Sequence, residues 1–229
     1  MKVKYLGHSC FQFDINGKRL VVDPFIRPNV LAAEAGISID DVEADYILVT
    51  HGHEDHTGDL VYLAERTGAT VIASFEIYTW LQKNGIEKCH PMNVGGKWAF
   101  DFGTVKMTFA AHSSSLPDGT YAGVAGGYLI YAGDKTLYIS GDTSLNQEMK
   151  LVGEYNKVDW AFLPIGDNFT MDYKDACIAA GFVRCDKVVA MHFDTFGFIK
   201  VDHAAAVEHF RSNGKQLHIP AIGKTIELA

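Results

Sequence analysis

The stretch "VTHGHEDHTGD", residues 49–59, crowds His51, His53, Asp55 and His56 into six positions. Imidazole and carboxylate are borderline ligands that suit zinc, iron and manganese, and the 51, 53, 55 alternation lets side chains converge from one side of an extended loop. A solvated turn has little need of three imidazoles, so these residue types favour a metal site over a plain loop or an isolated acid and base pair. The segment directly follows "DYILVT", an apolar run typical of a strand buried on both faces. It therefore occupies a strand's carboxyl end, where α/β structures place ligands.

One such cluster cannot complete two metal shells, so further ligands are sought at other strand ends. "TFAAHSSS" ends an apolar run at His112, "LYISGDTS" at Asp142 and "KVVAMHFDT" at His192. Each alone has an ordinary alternative, a hydrogen-bonded histidine or a turn-capping aspartate; beside the cluster, all three read as ligands pointing into a shared mouth. Asp23, closing "RLVVD", is a candidate to hold the outer N–H of a ligating histidine, and equally suits a strand end before Pro24. His8, in "YLGHSC", is a candidate substrate contact or proton relay, or a hydrogen-bonded histidine near the surface. Ser113 to Ser115, Asn168 and Thr170 are candidate hydrogen-bond donors to a substrate, or turn closers. "SSSLPDGTYAGVAGG" reads as a flexible lip over the site, or as a segment whose glycines serve tight turns. His90, His203, His209 and His218 lack ligand context and read as surface residues, and Cys10, in an apolar strand pattern, reads as a small buried hydrophobe.

The elements that must position these residues alternate along the chain. "VKYLGHSCFQFDI" and "KRLVVDPF" form a hairpin across Asn16-Gly17, a dipeptide that supplies positive φ in a tight turn. After a looser stretch over residues 27–44 comes "DYILVT", then a helix in "TGDLVYLAERTG" stopped by Gly68, a strand in "ATVIAS", and a helix in "FEIYTWLQKNG" closed by Gly85. Residues 98–111 read as two antiparallel strands across a turn at Asp101 to Gly103. The second half has the same order: a hairpin turning at Gly133-Asp134, a strand in "VDWAFLPIG", a helix in "YKDACIAAGF", a strand in "DKVVAMH" and a helix in "VDHAAAVEHFRSNG". No linker or short-period repeat divides them, so residues 1–229 are expected to form a single domain of two similar halves, sheet packed on sheet with helices outside.

Bulk properties narrow the class. An apolar fraction of 48% with 21% charged residues is that of an ordinary globular chain rather than a disordered one. A formal charge of -8, without a dense Lys/Arg run, argues against bulk nucleic-acid binding. No signal-peptide pattern and no apolar stretch of membrane-spanning length is found, and the four cysteines are scattered without a CxxC motif. A reduced, cytoplasmic protein acting on a small molecule, with no membrane partner, is the expectation.

The segment His51-Gly-His53-Glu-Asp55-His56, the isolated His112, the "GDT" aspartate Asp142 and the late His192 together resemble the metallo-β-lactamase superfamily. More closely, "GHSCF", "VVDPF", "HGHEDHTGD", "AHSSS", "SGDT", "LPIGDNFTM" and "MHFDTF" are similar to a group of compact, stand-alone metal-dependent hydrolases within it, relatives of L-ascorbate-6-phosphate lactonase. The resemblance covers nearly the whole chain. It implies an α/β fold, a four-layer αββα sandwich, with two divalent ions, zinc first and manganese or iron as alternatives. His51, His53 and His112 would hold the first ion, Asp55, His56 and His192 the second, and Asp142 would bridge them. The implied reaction is attack by a metal-bound hydroxide on a small ester, lactone or phosphoester, with Asp55 also managing the proton of that water. Histidine at 53 departs from the flavodiiron redox branch, which usually has an acidic residue there. The inserted basic arm of ribonuclease Z relatives and the helical substrate domain of glyoxalase II relatives have no counterpart here. A non-enzymatic metal- or ligand-binding domain on the same fold is the alternative.

Overall fold

In the computed structural model, which describes residues 1–228, two seven-stranded sheets stack face to face. The first comprises β1 (Lys2–Gly7), β2 (Cys10–Ile15), β3 (Lys18–Val22), β4 (Tyr46–Leu48), β5 (Thr70–Ser74) and β6 (Cys89–Met92), with β14 (Thr225–Glu227) beside β1 at the edge. The second runs β7 (Lys97–Phe100), β8 (Gly103–Phe109), β9 (Gly126–Ala132), β10 (Lys135–Ile139), β11 (Trp160–Pro164), β12 (Lys187–Met191) and β13 (Gln216–His218). Each sheet is antiparallel at first and becomes parallel, from β3 to β6 in one and from β10 to β13 in the other.

Strand periodicity explains the layering. On β3, Leu20 and Val22 enter the core between the sheets while Val21 faces the outer layer; on β5, Ile72 faces inward and Val71 and Ala73 outward. Both faces are buried, as near-continuous apolar runs require. Across the inner interface Phe162 of β11 meets Phe11 and Phe13 of β2, at ring-centroid distances of 5.1 and 5.2 Å. Outside the first sheet, α3 (Leu60–Thr67) and α4 (Phe75–Lys83) bury Leu60, Leu63, Ile77 and Leu81. Outside the second lie α5 (Glu148–Tyr155), α6 (Tyr173–Phe182) and α7 (His203–Ser212), so the fold is the αββα sandwich expected.

Local signals set the boundaries. Asn16 and Gly17 both take positive φ, 51° and 74°, between β2 and β3. Gly68 ends α3 in the left-handed region, and Asp172 and Asp202 cap α6 and α7 by accepting backbone N–H groups. The stretch expected to be loose holds a short helix, α1 (Val30–Glu34), because Asn29 accepts from the backbone N–H of Leu31 and Ala32. No helix among the described residues is long and apolar enough to cross a membrane.

Candidate metal centre

The candidate ligands gather at one rim of the two sheets, at the ends of both parallel and antiparallel strands. His51 follows β4, His112 follows β8, Asp142 follows β10 and His192 follows β12, while His8 lies in the tight connection between β1 and β2. Residues 54–57 form a one-turn helix, α2 (Glu54–Thr57), with His53 just ahead of it. Asp55 and His56 therefore project from a helical turn, not from the extended loop that the alternation suggested. His8, Asp23 and His192 all have positive φ, uncommon for residues with a side chain. The backbone N–H of His192 donates to the carbonyl of His8 at 3.0 Å, tying the two sheets together at the site. Gly52 sits so close to Ala122 and to the Ser115 carbonyl that a Cβ would overlap them, which is why glycine separates His51 from His53.

Three overlapping groups result. His51, His53 and His112 form the first; His51, His56 and Asp142 the second; His8, Asp55, His56 and His192 the third, with the ligand-type atoms of each group within 4.8 Å of one another. Asp142 joins the ends of the site: its Oδ2 lies 2.9 Å from His192 Nε2, 3.3 Å from His56 Nε2 and 3.7 Å from His112 Nε2. Asp55 Oδ2 lies 3.5 Å from His192 Nε2 and 3.9 Å from His56 Nε2.

Burial pushes His51 well below the usual imidazole range, with the charge on His56 adding to it, and also lowers His53 and His112. Burial opposes protonation of His192 and His56 as well, yet Asp142 overrides it, raising His192 to about 9 and His56 well above its ordinary value. Against the same burial cost, His56, His192 and His8 hold Asp55 far below the normal carboxylate range, and His192 and His56 do so for Asp142. Without metal, three neutral imidazoles thus face two imidazoliums and two carboxylates.

The tautomers are set from behind by Asp23. Its Oδ1 accepts the Thr50 N–H at 2.8 Å, and its Oδ2 accepts the Thr50 hydroxyl at 2.7 Å and His56 Nδ1–H at 2.8 Å. With its one hydrogen given to Asp23, the Thr50 oxygen accepts from His51 Nδ1–H at 3.0 Å. Nε2 of both His51 and His56 is thereby turned into the cluster. His51 Nε2 faces His53 Nδ1 at 3.0 Å, so either His53 gives it a proton or a cation lies against both lone pairs. Further in, His56 Nε2 and Asp142 Oδ1 are buried with no aligned hydrogen-bond partner. A buried unpaired group costs about 1–3 kcal/mol, and a divalent cation that displaces the Nε2 proton of His56 would meet both, so the donor set fits a metal. Asp23→Asn is expected to weaken metal binding roughly 10- to 100-fold, measured by competition with a chromophoric chelator; unchanged affinity would show that Asp23 only ends its strand.

His8 lies behind Asp55 and outside the cavity wall. Its Nε2 is 3.1 Å from Asp55 Oδ2 and its Nδ1 2.9 Å from the Thr195 hydroxyl. A carboxylate held so far below its usual range only accepts, so Nε2 carries the proton. Burial, helped by the charge on His192, lowers His8 to about 4, which keeps it neutral. His8 is buried, is absent from the cavity lining, and touches the site through Asp55.

The cluster opens into a cavity of about 740 Å³, lined on the polar side by His53, Asp55, His112, Asp142, His192 and Ser113. Of the expected lip, Ser113 alone reaches the cavity, while Leu116, Ala122 and Ala125 are buried. Asn168 and Thr170 are not in its lining; Phe169 between them is, together with Thr195, Phe196, Gly197 and Phe198 after β12. That aromatic wall was missed, although "FDTFGF" after a ligand strand offered the signal. Asp59 was missed too: buried, it pairs with the Arg27 side chain and accepts the Ile26 and Arg27 N–H groups, fixing the loop after Asp23. Of the histidines without ligand context, His203 is exposed and pairs with Asp194 at 2.7 Å. His90, His209 and His218 are half-buried against Trp98, Tyr173 and Trp160, so they pack on aromatic rings rather than stand free at the surface. Cys10 is buried, as expected.

Residues 18–193 match the Beta-lactamase superfamily domain. The chain is 48% identical over 228 residues to a UPF0173 metal-dependent hydrolase of Flavobacterium johnsoniae and 46% identical over 228 residues to one of Christiangramia forsetii, with 100% of each chain covered in both cases. Among solved structures it is similar to Igni18, a metallo hydrolase from Ignicoccus hospitalis, with 34% identity, a TM-score of 0.88, and coverage of 98% of this chain and 97% of that one. Sequence, fold and a clustered donor set agree, and the non-enzymatic alternative is set aside: the chain belongs to the UPF0173 metal-dependent hydrolases of the metallo-β-lactamase superfamily.

Proposed function

We propose that this hydrolase is dinuclear and acts on a small ester, lactone or phosphoester. In this reading His51, His53 and His112 hold one divalent ion, Asp55, His56 and His192 the other, and Asp142 is shared; zinc is preferred, with manganese or iron as alternatives. The observation that carries it is the convergence, on one rim, of donors spread from residue 51 to residue 192 into overlapping groups joined by Asp142. When bound, the ions acidify a water near neutral pH and polarise the scissile bond.

The chain's own residues supply the rest. Asp23 and Thr50 fix the tautomers of His51 and His56, so the Nε2 lone pairs face inward without reorganisation. Asp55, whose Oδ2 is held in place by His8 Nε2–H, manages the proton of the attacking water by accepting a hydrogen bond from it and so orienting it. Ser113, exposed at the cavity edge 3.4 Å from His53 Nε2, donates to a bound substrate. We further propose that residues 1–229 act as one domain in the cytoplasm, a setting supported by the free thiols of Cys10, Cys89, Cys177 and Cys185.

The test is elemental analysis of protein purified without added metal, followed by a panel of esters, lactones and phosphodiesters. We expect two equivalents of metal and hydrolysis that is lost on chelation and restored by zinc. Equal rates before and after metal removal would refute the reading.

A further inference from the structure

We propose that the site takes an uncharged ester or lactone with an apolar acyl chain or ring, seated against Phe169, Phe196 and Phe198. This rests on the hydrolase reading above and narrows its substrate class. The cavity is two-sided: ligand residues and Ser113 form the reacting side, and three phenyl rings stand on the other. Phe169 and Phe198 are 48% and 77% exposed, with ring centroids 6.3 Å apart and the rings nearly perpendicular. Phe196 packs edge-on to His8 at 5.4 Å and lies 6.4 Å from Phe25, so it is anchored from behind.

The backbones under these rings are well held. Ile199, next to Phe198, is buried, and Asp194 both donates from its N–H to the Ile199 carbonyl at 2.7 Å and accepts the Val201 N–H at 3.0 Å. Asp167 N–H donates to the Met171 carbonyl at 2.9 Å, closing the turn that carries Phe169. Rings left exposed on a fixed frame, beside a polar centre, present ready apolar area to whatever enters. Among the described residues lining the cavity there is no Lys or Arg, and neighbouring Lys200 donates to the Asp194 carbonyl at 2.7 Å. A phosphate or carboxylate on the substrate's tail would find no cation beyond the metal centre. A neutral apolar tail needs none and covers the rings.

The experiment has a binding arm and a turnover arm, both on metal-loaded protein. Calorimetry with neutral methyl ketones from acetone to 2-octanone measures the wall without hydrolysis; p-nitrophenyl esters from acetate to octanoate measure kcat/KM. We expect affinity and kcat/KM to rise about threefold to fourfold per added methylene. The Phe169→Ala, Phe198→Ala double variant should flatten both series while its metal content stays that of the parent. Ketone affinity independent of chain length, or a rise that survives in the double variant, overturns the proposal. A kcat/KM for p-nitrophenyl phosphate ten times that for the octanoate overturns its uncharged part. Chain-length-dependent ketone binding without hydrolysis of any ester supports the apolar wall while refuting the hydrolytic reading, so the two failures are distinguishable.

Discussion

An Asp142→Asn protein is expected to lose hydrolysis on the order of 10³-fold and to copurify with less metal. Asp142 is the carboxylate that reaches both ends of the site, within 2.9 to 3.7 Å of the Nε2 atoms of His192, His56 and His112. Asparagine keeps the shape and removes the charge. Without metal, the change leaves His192 facing Asp55 and His56 held only by Asp55 and Asp23, and removing one partner of a buried charge set costs about 3–5 kcal/mol unless those rings release their protons. The measurement pairs elemental analysis with turnover and a melting curve recorded in chelator. Full metal content and parental turnover would show that Asp142 is not the shared ligand.

Metal-free protein is expected to be most stable near pH 6.5 and to weaken on both sides, whereas loaded protein stays flat above that pH. His192 is raised to about 9 by Asp142 against the cost of its burial, so it binds a proton more tightly folded than unfolded. Its contribution is complete below the unfolded value near 6.5 and is lost as pH climbs through 9. From 6.5 to 9 the loss is on the order of 3 kcal/mol. His8 has the opposite sign: burial lowers it to about 4, so below 6.5 the unfolded chain takes up a proton that the folded chain refuses, and stability falls toward pH 4. Asp55 and Asp142 are depressed, so their contributions persist across this window. A bound cation replaces the imidazolium protons and removes the alkaline limb. Melting temperatures across pH 4–9, with chelator and with zinc, decide the matter; an alkaline limb identical in both samples would overturn the assignment.

The candidate donors were legible because His51, His112, Asp142 and His192 each stand just after an apolar run, and His53, Asp55 and His56 crowd behind the first of them. Strands buried on both faces, such as β4 and β11, announce themselves by continuous apolar sequence. What escaped lacks that local contrast. β13 and β14 have three residues each and gain their partners from distant segments, and β6 contains Pro91, which weakens any strand reading. The helical turn at residues 54–57 is too short for a period to show, so Asp55 and His56 read as extended. The aromatic wall escaped because exposed phenylalanines in loops follow no periodicity. Asp23 was legible as a partner for a ligating histidine, but the step through Thr50 escaped because it exists only after folding brings residues 27 positions apart together.

The pairing of β14 with β1, through Lys2 with Glu227 and Lys4 with Thr225, has a consequence for biosynthesis. The strand leading into His8 leaves the ribosome long before β14, the neighbour that covers its outer edge. Until then a nascent chain carries a bare ladder of donors and acceptors, an invitation to mispairing. A stop codon ahead of Thr225 would spare every ligand and still leave that edge open.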